Sequence, residues 1–180
     1  MTERMISMPI GVVIERRDVD HPWQDHEWGA VDLILGAGDT EEWLEIGRGD
    51  GWVRYHAGTL PLELHRRETE AYRVNLANNP PLIYVILRTL DDPDDEQEIE
   101  LFLVTASAFD AQDYLDSGED IVDGIPMSED MMAWIQAFID KHHVEEPFKK
   151  RKRRRYDPDD VGFGKMPPGA KRRHGGNGLG

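Results

Sequence analysis

The sequence predicts an α+β fold: a mostly antiparallel sheet of about six strands packed by about three helices, followed by a disordered basic C-terminal tail. Three observations carry this. Apolar residues alternate at strand spacing through the first two thirds of the chain. Turn residues separate those stretches at hairpin intervals. Helical patterns with capping residues are confined to a few segments between and after the strands. One hundred and eighty residues suit one domain over 1–148 and a tail over 149–180. That length can bury a core without covalent staples.

The elements follow in order. Ile10, Val12 and Ile14 alternate and are followed by Glu15 and Arg16, the pattern of a half-buried strand. Trp28–Leu35 is a second strand, stopped by Gly36, Gly38 and Asp39. Trp43–Ile46 and Trp52–His56 flank the turn GRGDG, a hairpin signal. Leu60, Leu62 and Leu64 alternate, and Pro61, which lacks an N–H, puts that strand at an edge. Arg67–Ala77 reads as a helix with Glu68, Tyr72 and Leu76 on one stripe, ended by Asn78-Asn79-Pro80-Pro81. Leu82–Leu87 is apolar on both faces and so predicts a central strand. Ile99–Val104 resembles it, and the loop DDPDDEQE between them makes a hairpin. Ser107 caps a helix through Leu115 that Ser117-Gly118 stops. Ser128 caps the last helix, with Glu129 and Asp130 complementing its dipole. Met131, Met132, Ile135, Phe138, Ile139 and His142 form its apolar stripe.

Charge is divided unevenly along the chain. The total is −15, but residues 149–180 hold eleven Lys/Arg against three Asp, and residues 1–148 hold ten against thirty-three Asp/Glu. The run Lys149, Lys150, Arg151, Lys152, Arg153, Arg154, Arg155 opens the tail. Rich in Gly, Pro and charge, the tail cannot bury enough apolar surface to offset its ordering entropy. An acidic body repels nucleic acid at long range, and no aromatics interleave the basic run before Tyr156, so nucleic acid is not the expected partner. The run instead reads as an electrostatic tether, to the acidic body or to a partner. With no cysteine, disulfides, thiolate metal sites and cysteine nucleophiles are excluded. The lack of any apolar run of membrane-spanning length, or of a signal-like N-terminus, predicts a cytoplasmic protein without a membrane partner.

The sequence marks no catalytic residue, cofactor or metal. His21 and His26 lie five apart, and His142-His143 point to different sides of a helix, so neither pair has ligand spacing. Asp91–Glu98 carries six carboxylates in eight residues but lacks the calcium-loop pattern. The glycines of GAGDTEEW and GRGDGW fit turns rather than phosphate loops. No carboxylate pair stands out in so acidic a chain. The segment His21-Pro-Trp-Gln-Asp-His-Glu-Trp28 offers two tryptophans. The plainer reading is packing, with Trp28 facing the core and Trp23 covering a sheet edge; the other is an interaction surface.

Four stretches together resemble a small bacterial family, a domain of unknown function commonly encoded beside formate dehydrogenase. They are ERRDVDHPWQDHEWGAV, LPLELHRRETEAYRVNLANNPPLIYVILR, VTASAFDAQDYLDSGEDIVDGIPMSEDMMAWI and EEPFKKRKRRRYDP, and the likeness spans about Ile14 to Asp160. It places Trp23, Gln24, Trp28, Glu63, Tyr72, Asn75, Arg88 and Trp134 at motif positions, with no established role attached. The Asp91–Glu98 loop and the tail after Asp160 look longer than the family pattern. Some members bear the name molybdopterin-guanine dinucleotide biosynthesis protein A, but the Gly-rich nucleotide loop that name implies is missing from PIGVVIERRDV. The resemblance implies a non-catalytic accessory or adaptor protein for formate dehydrogenase or molybdoenzyme maturation, with a dehydrogenase subunit or maturation factor as partner. The alternatives are a molybdenum-cofactor biosynthesis protein binding a nucleotide or pterin, and a nucleic-acid-binding regulator acting through the basic tail.

Overall fold

The computed structural model describes residues 4–40, 42–92 and 97–143; the basic run 149–155 and the rest of the tail lie outside them. The architecture is α+β, but with seven strands in two antiparallel sheets rather than about six in one. The first sheet has the order β2-β1-β4-β3, from β1 (Met5–Asp18), β2 (His26–Leu35), β3 (Leu44–Gly49) and β4 (Trp52–His65). The second has the order β6-β5-β7, from β5 (Leu82–Thr89), β6 (Ile99–Thr105) and β7 (Asp120–Pro126). The helices are α1 (Thr69–Leu76), preceded by a single 3-10 turn at Arg66–Glu68, α2 (Ala108–Ser117) and α3 (Glu129–His142).

Two local causes account for the different strand count. The stretches Trp52–His56 and Leu60–Leu64 are one strand, because Gly58, at φ +152, carries the chain through a backbone region that favours glycine. A Cβ there would also approach Leu101 to 3.1 Å. β7 escapes a pattern search because IVDGIP mixes apolar residues with Asp123, Gly124 and Pro126. It forms because β5 offers it a full partner from Leu82↔Pro126 to Arg88↔Asp120. β5 is central, as its two-sided apolar character requires. Pro61 lies opposite Pro9, beyond His56, where the β3 pairing of β4 stops, so its missing N–H is not needed by that neighbour.

Both sheets contribute to one core. Ile10, Val12, Ile14, Leu62 and Leu64 meet Ile83, Val85 and Leu87, and α1 and α3 add Tyr72, Met131, Ile135, Phe138 and Ile139. Both predicted serine caps form: Ser107 accepts from the Asp110 N–H and Ser128 from the Met131 N–H, each at 3.2 Å. α2 ends at Gly118 in the left-handed conformation, φ +69.

Asn75 is fully buried in α1 and is the polar joint of this core. Its amide nitrogen donates to the carbonyls of Leu82 at 2.6 Å and Ala106 at 2.8 Å, and its amide oxygen accepts from the Leu82 N–H at 3.0 Å. One side chain thereby satisfies the first residue of β5 and the link between β6 and α2. Asn75→Ala would leave one buried and two partly buried backbone groups without this partner, and urea unfolding should show a loss of about 3 kcal/mol. Gln112→Ala, which removes only an exposed bond to Asp116, should change stability by less than about 0.5 kcal/mol.

Candidate interaction site

The loop between β1 and β2 is closed by the Val19 N–H donating to the Asp25 carbonyl at 3.0 Å. The Asp18 N–H donates to the Gly51 carbonyl at 2.8 Å, which sets the β3–β4 turn beside it. From this loop Trp23 projects with 88% of its surface exposed. The packing expected of Trp23 against a sheet edge therefore does not occur. Gln24, Asp18, Asp20, Asp25 and Glu27 around it are exposed as well.

Trp28, five residues on, behaves as expected. It is partly buried against the core and meets Trp43 edge-on at 5.5 Å and Tyr55 at 6.2 Å. Its indole N–H donates to Glu98 at 2.7 Å, and the same carboxylate oxygen lies 2.7 Å from His26 Nε2. His26 Nδ1 lies 2.5 Å from Asp25. With a carboxylate at each ring nitrogen, the imidazolium is the form that satisfies both. The Glu98 bond, then the Asp25 bond, accordingly raise the His26 pKa, against desolvation and the nearby Arg16 guanidinium. The Trp28 and His26 bonds lower that of Glu98. This network ties the base of the Asp91–Glu98 loop to the first sheet. Because the folded pKa of His26 is raised, its contribution to stability is fully present below pH 6.5 and is lost as pH rises through the folded value. An NMR titration should place the His26 midpoint above 6.5. Unfolding free energy should fall with pH beyond that point in the wild type, and that fall should be smaller in Glu98→Gln.

Clefts lie on the body among the described residues. A cleft of about 240 Å³ is walled by Leu60, Pro61, Phe102, Leu103 and Val104 and lined by Glu63, His65, Glu68, Thr105 and Asp110. Here the fold brings together a carboxylate pair that no local pattern marks, since Glu68 and Asp110 are remote in sequence. Burial first, and then the charge of and hydrogen bond to Glu68, raise the Asp110 pKa. A second, of about 320 Å³, includes Glu15, Arg17, Glu27 and Asp123. Glu15 is buried yet paired with Arg54 and Arg17, each at 2.8 Å. Burial works to raise its pKa, but those two guanidinium bonds outweigh it and leave it lowered. Asp123 accepts the Ala30 N–H at 2.9 Å across the seam between the sheets, and burial raises its pKa. The third cleft, lined by Arg4, Met5, His65, Arg66 and Arg67, is basic. Among the described residues no group of three or more His, Asp or Glu side chains is placed to hold a metal ion.

Ionising Asp110 in its cleft costs the folded state, so its unfavourable term is absent below pH 3.8 and grows as pH rises through the folded pKa. Asp110→Asn should raise Tm at pH 7, with the gain disappearing at the acid end of a scan.

The other motif residues fall into structural places. Tyr72 is buried; its hydroxyl accepts from the His65 N–H and donates to Glu68, both at 2.9 Å, and burial pushes it well above the usual phenol range. Asn75 is the joint described above. Arg88 lies over the Phe102 ring at 3.4 Å, with Asp120 at 3.7 Å. Trp134 packs partly buried against the core, and Glu63 lies 3.1 Å from His65. Lys149–Arg155 fall outside the described residues. Trp23 and Gln24 alone of the seven candidate residues on the body point into solvent with no side-chain hydrogen bond, ion pair or ring contact among the described residues.

Two antiparallel sheets around one core, with an indole held out on a loop, define a two-sheet α+β protein with a surface suited to contact. The chain belongs to the family described as "Protein of unknown function (DUF3305)", whose model matches residues 9–152. No curated protein and no solved structure matches the chain. No helix among the described residues is long and apolar enough to cross a membrane.

Proposed function

We propose that the chain is a non-catalytic accessory or adaptor protein that docks through the Trp23 loop. The observation that carries this is the 88% exposure of Trp23. An indole is among the largest apolar surfaces a chain can bury and is a frequent anchor of protein interfaces. Here it lies on a loop whose ends are fixed by hydrogen bonds, so little ordering entropy is added on docking. The acidic side chains around it would steer a basic partner surface and make association sensitive to salt. The partner class, a formate dehydrogenase or related molybdoenzyme, or a factor that matures one, comes from the family resemblance of the sequence. The cytoplasm follows as the compartment of such work.

A tagged full-length chain expressed in its host during growth on formate should recover a dehydrogenase subunit or cofactor-insertion factor. Trp23→Ala should reduce that recovery by at least about tenfold, the loss typical of an interface anchor. Its thermal stability should be unchanged, because Trp23 contributes nothing to the core. Equal recovery by the two proteins, or recovery of neither class of partner, would sink the reading.

A further inference from the structure

Arg4, Arg66 and Arg67 have no anionic partner among the described residues, and they stand together. β1 and β4 pair antiparallel, with Met5 opposite His65, and the Arg66 N–H donates to the Arg4 carbonyl at 2.9 Å. Arg4 is therefore fixed against the 3-10 turn that carries Arg66 and Arg67. All three are exposed and, with His65, line one cleft of about 550 Å³. None makes an ion pair or a side-chain hydrogen bond among the described residues, and none has an interaction beyond those named. Five arginines elsewhere on the body have carboxylate partners: Arg17 and Arg54 share Glu15, Arg48 has Glu45, Arg73 has Glu70 and Arg88 has Asp120, while Arg16 lies 3.3 Å from His26.

Like charges brought together across paired strands destabilise a sheet. A chain with 36 carboxylates has ample means to neutralise them. Stability therefore gives no reason for this arrangement. Binding does, because a guanidinium presents a planar fork of donors that matches the oxygens of a phosphate two at a time. A triad of such forks exceeds what one carboxylate can use and suits a dianion.

The geometry points to an anion site formed by Arg4, Arg66 and Arg67 that binds a small molecule through a phosphate group. The volume of the cleft is in the range of small-molecule pockets. Met5 and the stems of the arginines offer some apolar wall to the rest of the ligand. His65 separates this cleft from the carboxylate-lined one, whose Glu63, Glu68 and Asp110 would repel the same phosphate. The ligand is thus confined to the basic side. The site is independent of docking through Trp23.

Inorganic phosphate and pyrophosphate are the probes, titrated into the full-length chain at constant ionic strength and followed by the Nε–H signals of arginine in NMR spectra and by Tm. Saturable shifts at millimolar probe, with a rise in Tm, are expected. Arg4→Gln, Arg66→Gln and Arg67→Gln should each weaken half-saturation by about tenfold, and the triple variant should not respond. These side chains make no contact that the fold uses, so far-UV circular dichroism should be unchanged. Arg48→Gln, Trp23→Ala and neutralisation of Lys149–Arg155 should each leave the response intact. An unsaturable response, an unaltered response in the triple variant, or its loss on neutralising Lys149–Arg155 would overturn the site.

Discussion

The fold depends on one buried carboxamide. Asn75 leaves α1 facing inward, where a polar side chain is costly unless its polar atoms find hydrogen-bond partners. Here the amide oxygen takes one backbone N–H and the amide nitrogen gives both protons to carbonyls. The groups it satisfies are ones that regular structure leaves open: the first residue of β5 and the carbonyl of Ala106, before α2 begins. The helix is short, and the contact replaces backbone partners it could not otherwise provide. Tyr72, one turn earlier, serves the other end of α1 in the same way, through the His65 N–H and Glu68. The pair Tyr72 and Asn75 is thus a device of folding. Its residues lock α1 between the end of β4 and the start of β5, and they have no free polar atom with which to meet a partner.

Elsewhere the protein uses its excess of acid as internal acceptors. Glu15 is held by two guanidinium groups that outweigh the cost of its burial. Asp123 closes the seam between the sheets through the Ala30 N–H. Glu98 takes both the Trp28 indole and His26. Each joins a segment of one sheet to a segment that lies far away in sequence or on the other sheet. Because an ionised carboxylate accepts and never donates, it suits places where two donors converge, as in the last case. The same abundance produces a less favourable encounter at Glu68 and Asp110, where two acids meet and burial holds one of them toward its neutral form.

What could be read from the sequence divides along physical lines. The helices α2 and α3 were legible because their signals are local: a serine cap on each, the Ser117-Gly118 stop after α2, and on α3 acids in the first turn and an apolar stripe at helical spacing. β5 was legible as central because both its faces are apolar. β7 was not, since its strand character comes from β5 alongside it rather than from IVDGIP itself. The division into two sheets was likewise hidden, being a property of which strands find one another. For the site, Trp23 and Gln24 were named from sequence. Whether an indole packs or projects depends on what lies beside the loop, and composition says nothing of that. Arg4 lies sixty-odd residues from Arg66 and Arg67. Only the β1–β4 register makes them neighbours, so no pattern along the chain could have grouped them.

Two features of the surface run against the economy of the interior. Among the described residues the inside leaves few polar atoms without partners, and its most buried carboxylate, Glu15, is matched by two guanidinium groups. On the outside an indole is held in water by a loop with its ends tied, and three guanidinium groups share a cleft without a carboxylate among the described residues. Both conditions are unfavourable for the isolated chain, the first through hydration of an apolar surface and the second through repulsion of like charges. Each would be relieved by contact of one definite kind, apolar for Trp23 and anionic for the arginines. The two lie at opposite ends of β1, since Asp18 leads into the Trp23 loop and Arg4 precedes Met5. Fourteen residues of extended strand, at about 3.3 Å each, hold them more than about 40 Å apart along the chain. One small ligand could not meet both, so the strand that organises the core also keeps the two surfaces separate.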